Sequence, residues 1–287
     1  MALIQQFSRL QLPKFANFVK FQSLTNCRSV HTTYRDFVEQ RSTIDNDEIR
    51  RFSKFGDIWW TGKAGAALRS MNELRVPLIR DNVMKTGLQS STSNPLMNVK
   101  ILDVGSGGGI LSEPLARLGA TVFGIDPVKE NIAISEEHRD RVSPGLKSNL
   151  SYKLTSIENM LADSSNNDSY DAVVVSEVLE HVDNVELLLE SSRSLLKPDG
   201  KLIITTINQT VSAVLLAIVA GEYLSNLVPQ GTHSYDKLVP LNGLRAMLKD
   251  LKFSVDIVHG MCYNPISDQW SWITNTSVNY AVVATKV

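Results

Sequence analysis

The sequence predicts an α/β protein built on an open, doubly wound, mostly parallel sheet with helices on both faces, and three stretches predict it. Ile101-Leu102-Asp103-Val104 is a short apolar run ending in Gly105-Ser106-Gly107-Gly108-Gly109. That is the pattern of a first parallel strand turning tightly into a helix. Thr121 to Ile125 is a second β-rich run, and it closes on Asp126, 21 positions after Gly105. Asp171 to Ser176 is almost unbroken apolar sequence, as expected of a strand covered on both faces. A carboxylate at the end of the second strand can accept both hydroxyls of a ribose. The glycine turn and Asp126 together therefore imply an adenosine-containing cofactor.

The remaining elements follow in chain order. Asp45 to Phe55 reads as a helix with acidic residues at its positive end. It leads through Phe52 and Phe55 to Trp59 and Trp60, an aromatic cluster that either packs on the domain edge or covers the cofactor. Leu68 to Val83 is a second helix, and Gly87 to Asn98 is a Ser/Asn/Pro-rich connector. Asp163 to Ser169 is a polar surface loop before the strand at 171. Leu195-Leu196-Lys197-Pro198-Asp199-Gly200 ends a helix with proline and glycine, and Lys201 to Thr206 reads as the next strand. Lys252 to Val258 and Asn279 to Thr285 are the last two β-rich runs. There is no internal repeat and no low-complexity domain.

Two cofactors compete for the glycine turn. The dinucleotide fingerprint asks for Gly-x-Gly-x-x-Gly or Ala, and here the third position is Ile110, whose bulk would prop the helix away from the strand. The run Asp103-Val104-Gly105-Ser106-Gly107-Gly108-Gly109 instead resembles motif I of class I S-adenosylmethionine-dependent methyltransferases. That cofactor has no pyrophosphate to cradle. The resemblance covers roughly residues 45–287 and implies a Rossmann-like, seven-stranded sheet with one antiparallel strand. The domain would occupy 99–287, behind an N-terminal helical cap and connector at 31–98.

Ser176-Glu177-Val178-Leu179-Glu180-His181-Val182 starts where the fourth strand ends, at the ligand edge of such a sheet. If the chain turns helical there, Glu177, Glu180 and His181 share one face. They could then hold a divalent ion, or simply form an acidic helix start with a solvated histidine. The run resembles the corresponding motif of the ubiquinone-biosynthesis O-methyltransferases. Trp59-Trp60, Leu74-Arg75-Val76-Pro77, Ile79-Arg80-Asp81, Val228-Pro229-Gln230-Gly231-Thr232-His233, Tyr263-Asn264-Pro265-Ile266 and Val278-Asn279-Tyr280 agree with it. Ser106 departs from the cysteine often found there in bacterial relatives.

This resemblance implies that Arg75, Gly105, Asp126 and Ser176 contact S-adenosyl-L-methionine. It also implies that Glu177, Glu180 and His181 bind a divalent metal, Mg²⁺ by preference. Without a metal, His181 becomes the general base. The implied reaction is methyl transfer to a catechol hydroxyl of polyprenyl dihydroxybenzoate and of demethylubiquinol. Other ubiquinone-biosynthesis proteins would be its partners, in a membrane-associated complex.

Composition narrows the setting. With 287 residues, 43% of them hydrophobic, the chain can bury an ordinary core, and a net charge of −1 argues against a nucleic-acid surface. The first 35 residues hold Arg9, Lys14, Lys20, Arg28 and Arg35 and no acid, with Phe7, Leu10, Phe15, Phe18 and Phe21 at roughly helical spacing. A basic, serine-bearing, amphipathic start is the pattern of a mitochondrial transit peptide, with cleavage expected near residue 30. Cys27 would leave with it, so Cys262 would have no disulfide partner, which suits a reducing matrix. Within an apolar insertion at 209–240, Val211 to Leu227 is strongly apolar but too short and interrupted to span a bilayer. It reads equally as a buried helix or an interfacial one, and the implied lipid substrate favours peripheral contact with the inner membrane on its matrix face.

Overall fold

Successive residues of a strand point to opposite faces, and the central strands here are apolar at nearly every position. The sheet must therefore be covered on both sides, and it is. The computed structural model describes residues 42–56, 58–84, 94–210, 235–264 and 266–287. All of them fall in one compact unit, Val38–Val287. The expected presequence and most of the apolar insertion, 211–234, lie outside the described residues.

Three helices precede the sheet: α1 (Asn46–Phe52), the short α2 (Ile58–Thr61) and α3 (Lys63–Val83). Strands and helices then alternate as β1 (Lys100–Val104), α4 (Ser112–Arg117), β2 (Thr121–Asp126), α5 (Lys129–Val142) and β3 (Leu150–Leu154). After the short α6 (Ile157–Met160) come β4 (Tyr170–Ser176), α7 (Val185–Leu195) and β5 (Leu196–Ile207). The chain closes with α8 (Leu241–Asp250), β6 (Phe253–Asn264), β7 (Gln269–Ile273) and β8 (Asn279–Lys286).

The sheet order is β3-β2-β1-β4-β5-β8-β6-β7. β3, β2, β1, β4 and β5 pair in parallel. β8 runs antiparallel between β5 and β6. The sequence-based expectation of seven strands with one antiparallel is corrected by β7, an eighth strand that returns antiparallel along β6 from Asn264↔Gln269 to Gly260↔Ile273. Ser267 and Asp268 supply the polar turn and Trp270 and Trp272 the β-forming residues. β6 itself runs six residues past the expected Val258.

Parity along the strands separates two cores. Leu102, Val104, Val173, Val175, Leu202, Ile204, Val282 and Ala284 face Leu188, Leu189 and Leu195 of α7 and Leu244 and Leu248 of α8. Their neighbours Ile101, Ala172, Val174, Ile203 and Val283 face Ile79 and Val83 of α3, Leu115 of α4 and Ile132 of α5. A third cluster, Met71, Leu74, Met261 and Ala281, packs α3 on the β6–β7 hairpin. The chain builds β1, β2 and β3 outward and then returns to place β4 on the other side of β1. The crevice at their carboxyl ends is where such sheets bind ligands.

Tyr280 is fully buried on β8, and its hydroxyl donates to the Val239 carbonyl at 2.9 Å. Tyr280→Phe removes that bond and leaves a buried carbonyl unpaired. Chemical denaturation should show a loss of ~1–3 kcal/mol with an unchanged m-value.

Candidate functional site

The crevice holds a cavity of about 740 Å³, lined by residues from the carboxyl ends of β1, β2 and β4 and roofed by α1, α3 and the β6–β7 hairpin. β1 delivers Gly105 at φ +69° and Gly107 at φ +53°, left-handed conformations that a side chain would strain. The N–H groups of Gly105 and Ser106 donate to the Ile125 carbonyl at 2.8 and 3.0 Å, so the turn is stitched to β2. A Cβ on Gly107 would come within 2.8 Å of the Trp59 ring, so the absence of one lets the indole lie directly on the turn.

Asp126 ends β2 and is only 5% exposed. It accepts from Gly107 N–H at 2.9 Å, Val128 N–H at 2.8 Å and Asn131 Nδ2 at 3.2 Å. Burial pushes its carboxyl up to about 6, against those three donors. Asp103, one strand away, is likewise pushed up to about 6 by burial and accepts from the Ser112 hydroxyl.

Arg75 reaches in from α3. Its guanidinium donates to Ser176 Oγ at 2.8 Å, the Leu68 carbonyl at 2.7 Å and Asn72 Oδ1 at 2.6 Å. Its Nε is buried with no hydrogen-bond partner, and burial pulls the group down to about 10, opposed by Glu177 and Asp103. Ser176 shares a hydrogen bond with Thr205 Oγ1 at 2.7 Å. Arg75, Gly105, Asp126 and Ser176, scattered over a hundred positions of sequence, thus line one cavity.

The expected metal set is different. A shared face needs a helix beginning at Glu177, but Glu177 sits at φ +56° and only a single tight turn, Leu179–His181, follows. The three side chains consequently diverge. Glu177 accepts from Thr205 Oγ1 at 2.7 Å, and Glu180 is buried and accepts from Thr206 Oγ1 at 2.8 Å. His181 places Nδ1 3.1 Å from Glu48 Oε2. Among the described residues, no group of three His, Cys, Asp or Glu side chains could hold a metal ion. The described residues thus lend no support to the expected Glu177–Glu180–His181 metal set, and His181 faces the cavity in the company of a carboxylate.

Sequence reasoning missed Glu48, and it left Trp59 undecided. The Trp59 indole N–H donates to Asn131 Oδ1 at 2.9 Å, and Asn131 in turn donates to Asp126. The aromatic cluster therefore packs and covers the glycine turn at once.

A glycine-turned first strand, an acid-capped second strand and a cavity at the switch point define an α/β domain of the nucleoside-cofactor-binding kind. A family model described as a methyltransferase domain matches residues 35–257. The mitochondrial ubiquinone biosynthesis O-methyltransferase of Rattus norvegicus is 42% identical over 269 residues, covering 93% of this chain and 77% of that protein. The human one is 41% identical, covering 94% and 74%. The ubiquinone biosynthesis O-methyltransferase of Azorhizobium caulinodans is 36% identical, covering 84% and 94%. Magnesium protoporphyrin IX methyltransferase from Synechocystis, solved with S-adenosylhomocysteine bound, shares the fold at a TM-score of 0.53 and 19% identity, over 84% of this chain and 94% of that one. The chain belongs to the ubiquinone biosynthesis O-methyltransferase family.

Raised carboxyl groups have a pH signature. A folded-state value near 6 for Asp126, against about 4 in the unfolded chain, means the native protein holds the extra proton between those limits. This group's contribution to stability therefore declines as pH rises from about 4 to 6. Relative to Asp126→Asn, the wild type should lose on the order of 2–3 kcal/mol across that window. Denaturant melts of both proteins at pH 4.5 and pH 7 measure the difference.

Proposed function

We propose that this chain transfers a methyl group from S-adenosyl-L-methionine to a catechol hydroxyl of a polyprenylated aromatic in ubiquinone biosynthesis. The observation that carries this reading is the single cavity lined by Arg75, the Gly105–Gly107 turn, Asp126, Ser176 and His181. The donor set fits the cofactor. One buried guanidinium with an unpartnered Nε suits a methionine carboxylate, and Asp126 suits a ribose diol. The glycine turn lets a nucleoside approach the backbone.

When bound, the cofactor supplies a sulfonium-activated methyl group. The chain's own task is alignment, because in-line displacement depends on holding donor and acceptor in register. A catechol hydroxyl, with a pKa near tyrosine's at about 10, is a weak nucleophile while protonated. His181 would take that proton as the oxygen attacks the methyl group that the cofactor would supply. A divalent ion, were Glu177, Glu180 and His181 to gather around one, would instead lower the hydroxyl's pKa and orient the attacking oxygen.

The family supports polyprenyl dihydroxybenzoate and demethylubiquinol as the two acceptors. The mitochondrial relatives support a mitochondrial location. A peripheral position on the matrix face of the inner membrane suits an acceptor with a lipid tail. None of the helices among the described residues is long and apolar enough to cross a bilayer. Partner proteins of the same pathway would then meet it at that surface.

Purified protein, labelled S-adenosylmethionine and a short-chain polyprenyl dihydroxybenzoate test the reading. Methyl transfer should persist through exhaustive chelation and fall ~10²–10⁴-fold in His181→Ala, with S-adenosylhomocysteine binding retained. Transfer lost to EDTA and restored by Mg²⁺ would return Glu177, Glu180 and His181 to a metal and remove the general-base role. In a parallel titration, NADH should not bind.

A further inference from the structure

Val278-Asn279-Tyr280 leads into β8, and the two residues that flank Asn279 are accounted for. The Tyr280 hydroxyl is bonded within the core, and the Val278 carbonyl accepts from the Asn208 N–H at 2.6 Å. Asn279 itself is only 9% exposed and lines the cavity. Its carboxamide has no hydrogen-bond partner among the described residues. The other two buried asparagines are both paired. Asn131 donates to Asp126, and Asn208 donates to the Thr276 carbonyl at 2.8 Å and accepts from the Leu241 N–H at 3.3 Å. Burying an amide without a partner costs free energy. A cavity wall is where a ligand can provide that partner.

The strand register locates this carboxamide relative to the cofactor groups. Ser176 pairs with Thr205 on β5, and Thr205 pairs with Ala281 on β8, so the three share one face of the sheet. Asn279, two residues before Ala281, lies on that face as well. α3 covers it: Arg75 bonds Ser176, and Met71 and Leu74 pack with Ala281. Asp126 is on β2, at the opposite side of the ligand edge. Asn279 stands two strands beyond Ser176, ~10 Å across the sheet, on the side away from Asp126. A cofactor held between Asp126 and Arg75 leaves this end of the cavity to the second substrate. The register partners of Asn279, Ile207 and Met261, line it with hydrocarbon.

We infer that Asn279 is an acceptor-binding residue, whose carboxamide hydrogen-bonds the ring oxygen beside the hydroxyl that is methylated. The inference rests on the methyl-transfer reading. A catechol places a second oxygen next to the reacting one, and a carboxamide offers it both a donor and an acceptor. That bond fixes which edge of the ring faces the donor, so Asn279 contributes orientation and selectivity. A site that pairs a buried polar group with a substrate oxygen discriminates against an analogue lacking it, because the group is then left unpaired.

The experiment uses the full chain, a short-chain polyprenyl dihydroxybenzoate, and its analogue lacking the oxygen beside the reacting hydroxyl. The Kd of each is measured on the S-adenosylhomocysteine complex, and transfer from labelled S-adenosylmethionine is followed alongside. Asn279→Ala should weaken binding of the dihydroxybenzoate ~10- to 100-fold. The Kd for S-adenosylhomocysteine should move less than twofold. The preference of wild type for the dihydroxybenzoate over the analogue should shrink by the same factor in Asn279→Ala, since the variant lacks the group that reads the missing oxygen. Asn279→Leu, of similar size, should melt no lower than wild type and bind the dihydroxybenzoate as poorly as Asn279→Ala.

An undiminished preference in Asn279→Ala, with wild type still methylating the acceptor, overturns this inference alone. So does a lowered melting temperature in Asn279→Leu with an equal loss of cofactor affinity, the mark of a side chain that only braces β8. A wild type that neither binds nor methylates the acceptor removes the methyl-transfer reading and this inference with it.

Discussion

The ligand edge of the sheet depends on one buried carboxylate. Asp126 gathers the Gly107 N–H from the β1 turn, the Val128 N–H from the start of α5 and the Asn131 amide from within it. Desolvating a carboxylate is costly unless donors compensate it, and here they come from the two backbone segments that frame the crevice. The glycine turn is thereby tied to β2, and Asn131 is oriented to receive the Trp59 indole. Loss of this one acceptor would leave the Gly107 N–H, the Val128 N–H and the Asn131 amide without it together, while the Ile125 carbonyl still holds Gly105 and Ser106. The same tension between desolvation and hydrogen bonding leaves Asp126 poised near 6 and open to a better set of donors.

The sheet supplies a generic platform, and the additions to it make the chemistry particular. Arg75 comes from α3, before the first strand, and Glu48 from α1. The β6–β7 hairpin, beyond the expected seven strands, closes the far wall with Met261, Tyr263 and Trp270. Trp270 donates to the Ala67 carbonyl of α3 at 3.0 Å, so the two additions brace one another across the cavity mouth. Apolar walls over a charged floor suit an acceptor with a polar ring and a hydrocarbon tail.

Much of this was legible in the sequence, because strand parity and the Gly105–Asp126 spacing are local properties. The continuous run at Asp171–Ser176 announced a strand buried on both faces, and the structure divides its residues between two cores. What was not legible depends on chain segments meeting at a distance. Glu177 to His181 has helical spacing, but Glu177 adopts a left-handed backbone and Thr205 and Thr206 of β5 draw the carboxylates apart. No pattern within five residues encodes those partners. Glu48 looked like one acid in a charged helix, and only the return of the chain at His181 brings the two side chains together. The eighth strand was there to be read, because Gln269-Trp270-Ser271-Trp272-Ile273 alternates polar and apolar residues over five positions.

The segment leading into α1 is clasped to the body at several points. Thr43 bonds Glu158 through both its backbone N–H and its hydroxyl, Ile44 bridges Val182, and the Asp183 N–H donates to the Thr43 carbonyl. A protease working inward from the amino terminus therefore meets a functional boundary well before it meets the sheet. A cut on the near side of Ser42 leaves the clasp whole. A cut a few residues further on releases α1 from His181 while both cores stay closed. Such a product would lose the Thr43–Glu158 and Ile44–Val182 contacts that seat α1 at the cavity wall, yet keep every residue of both cores.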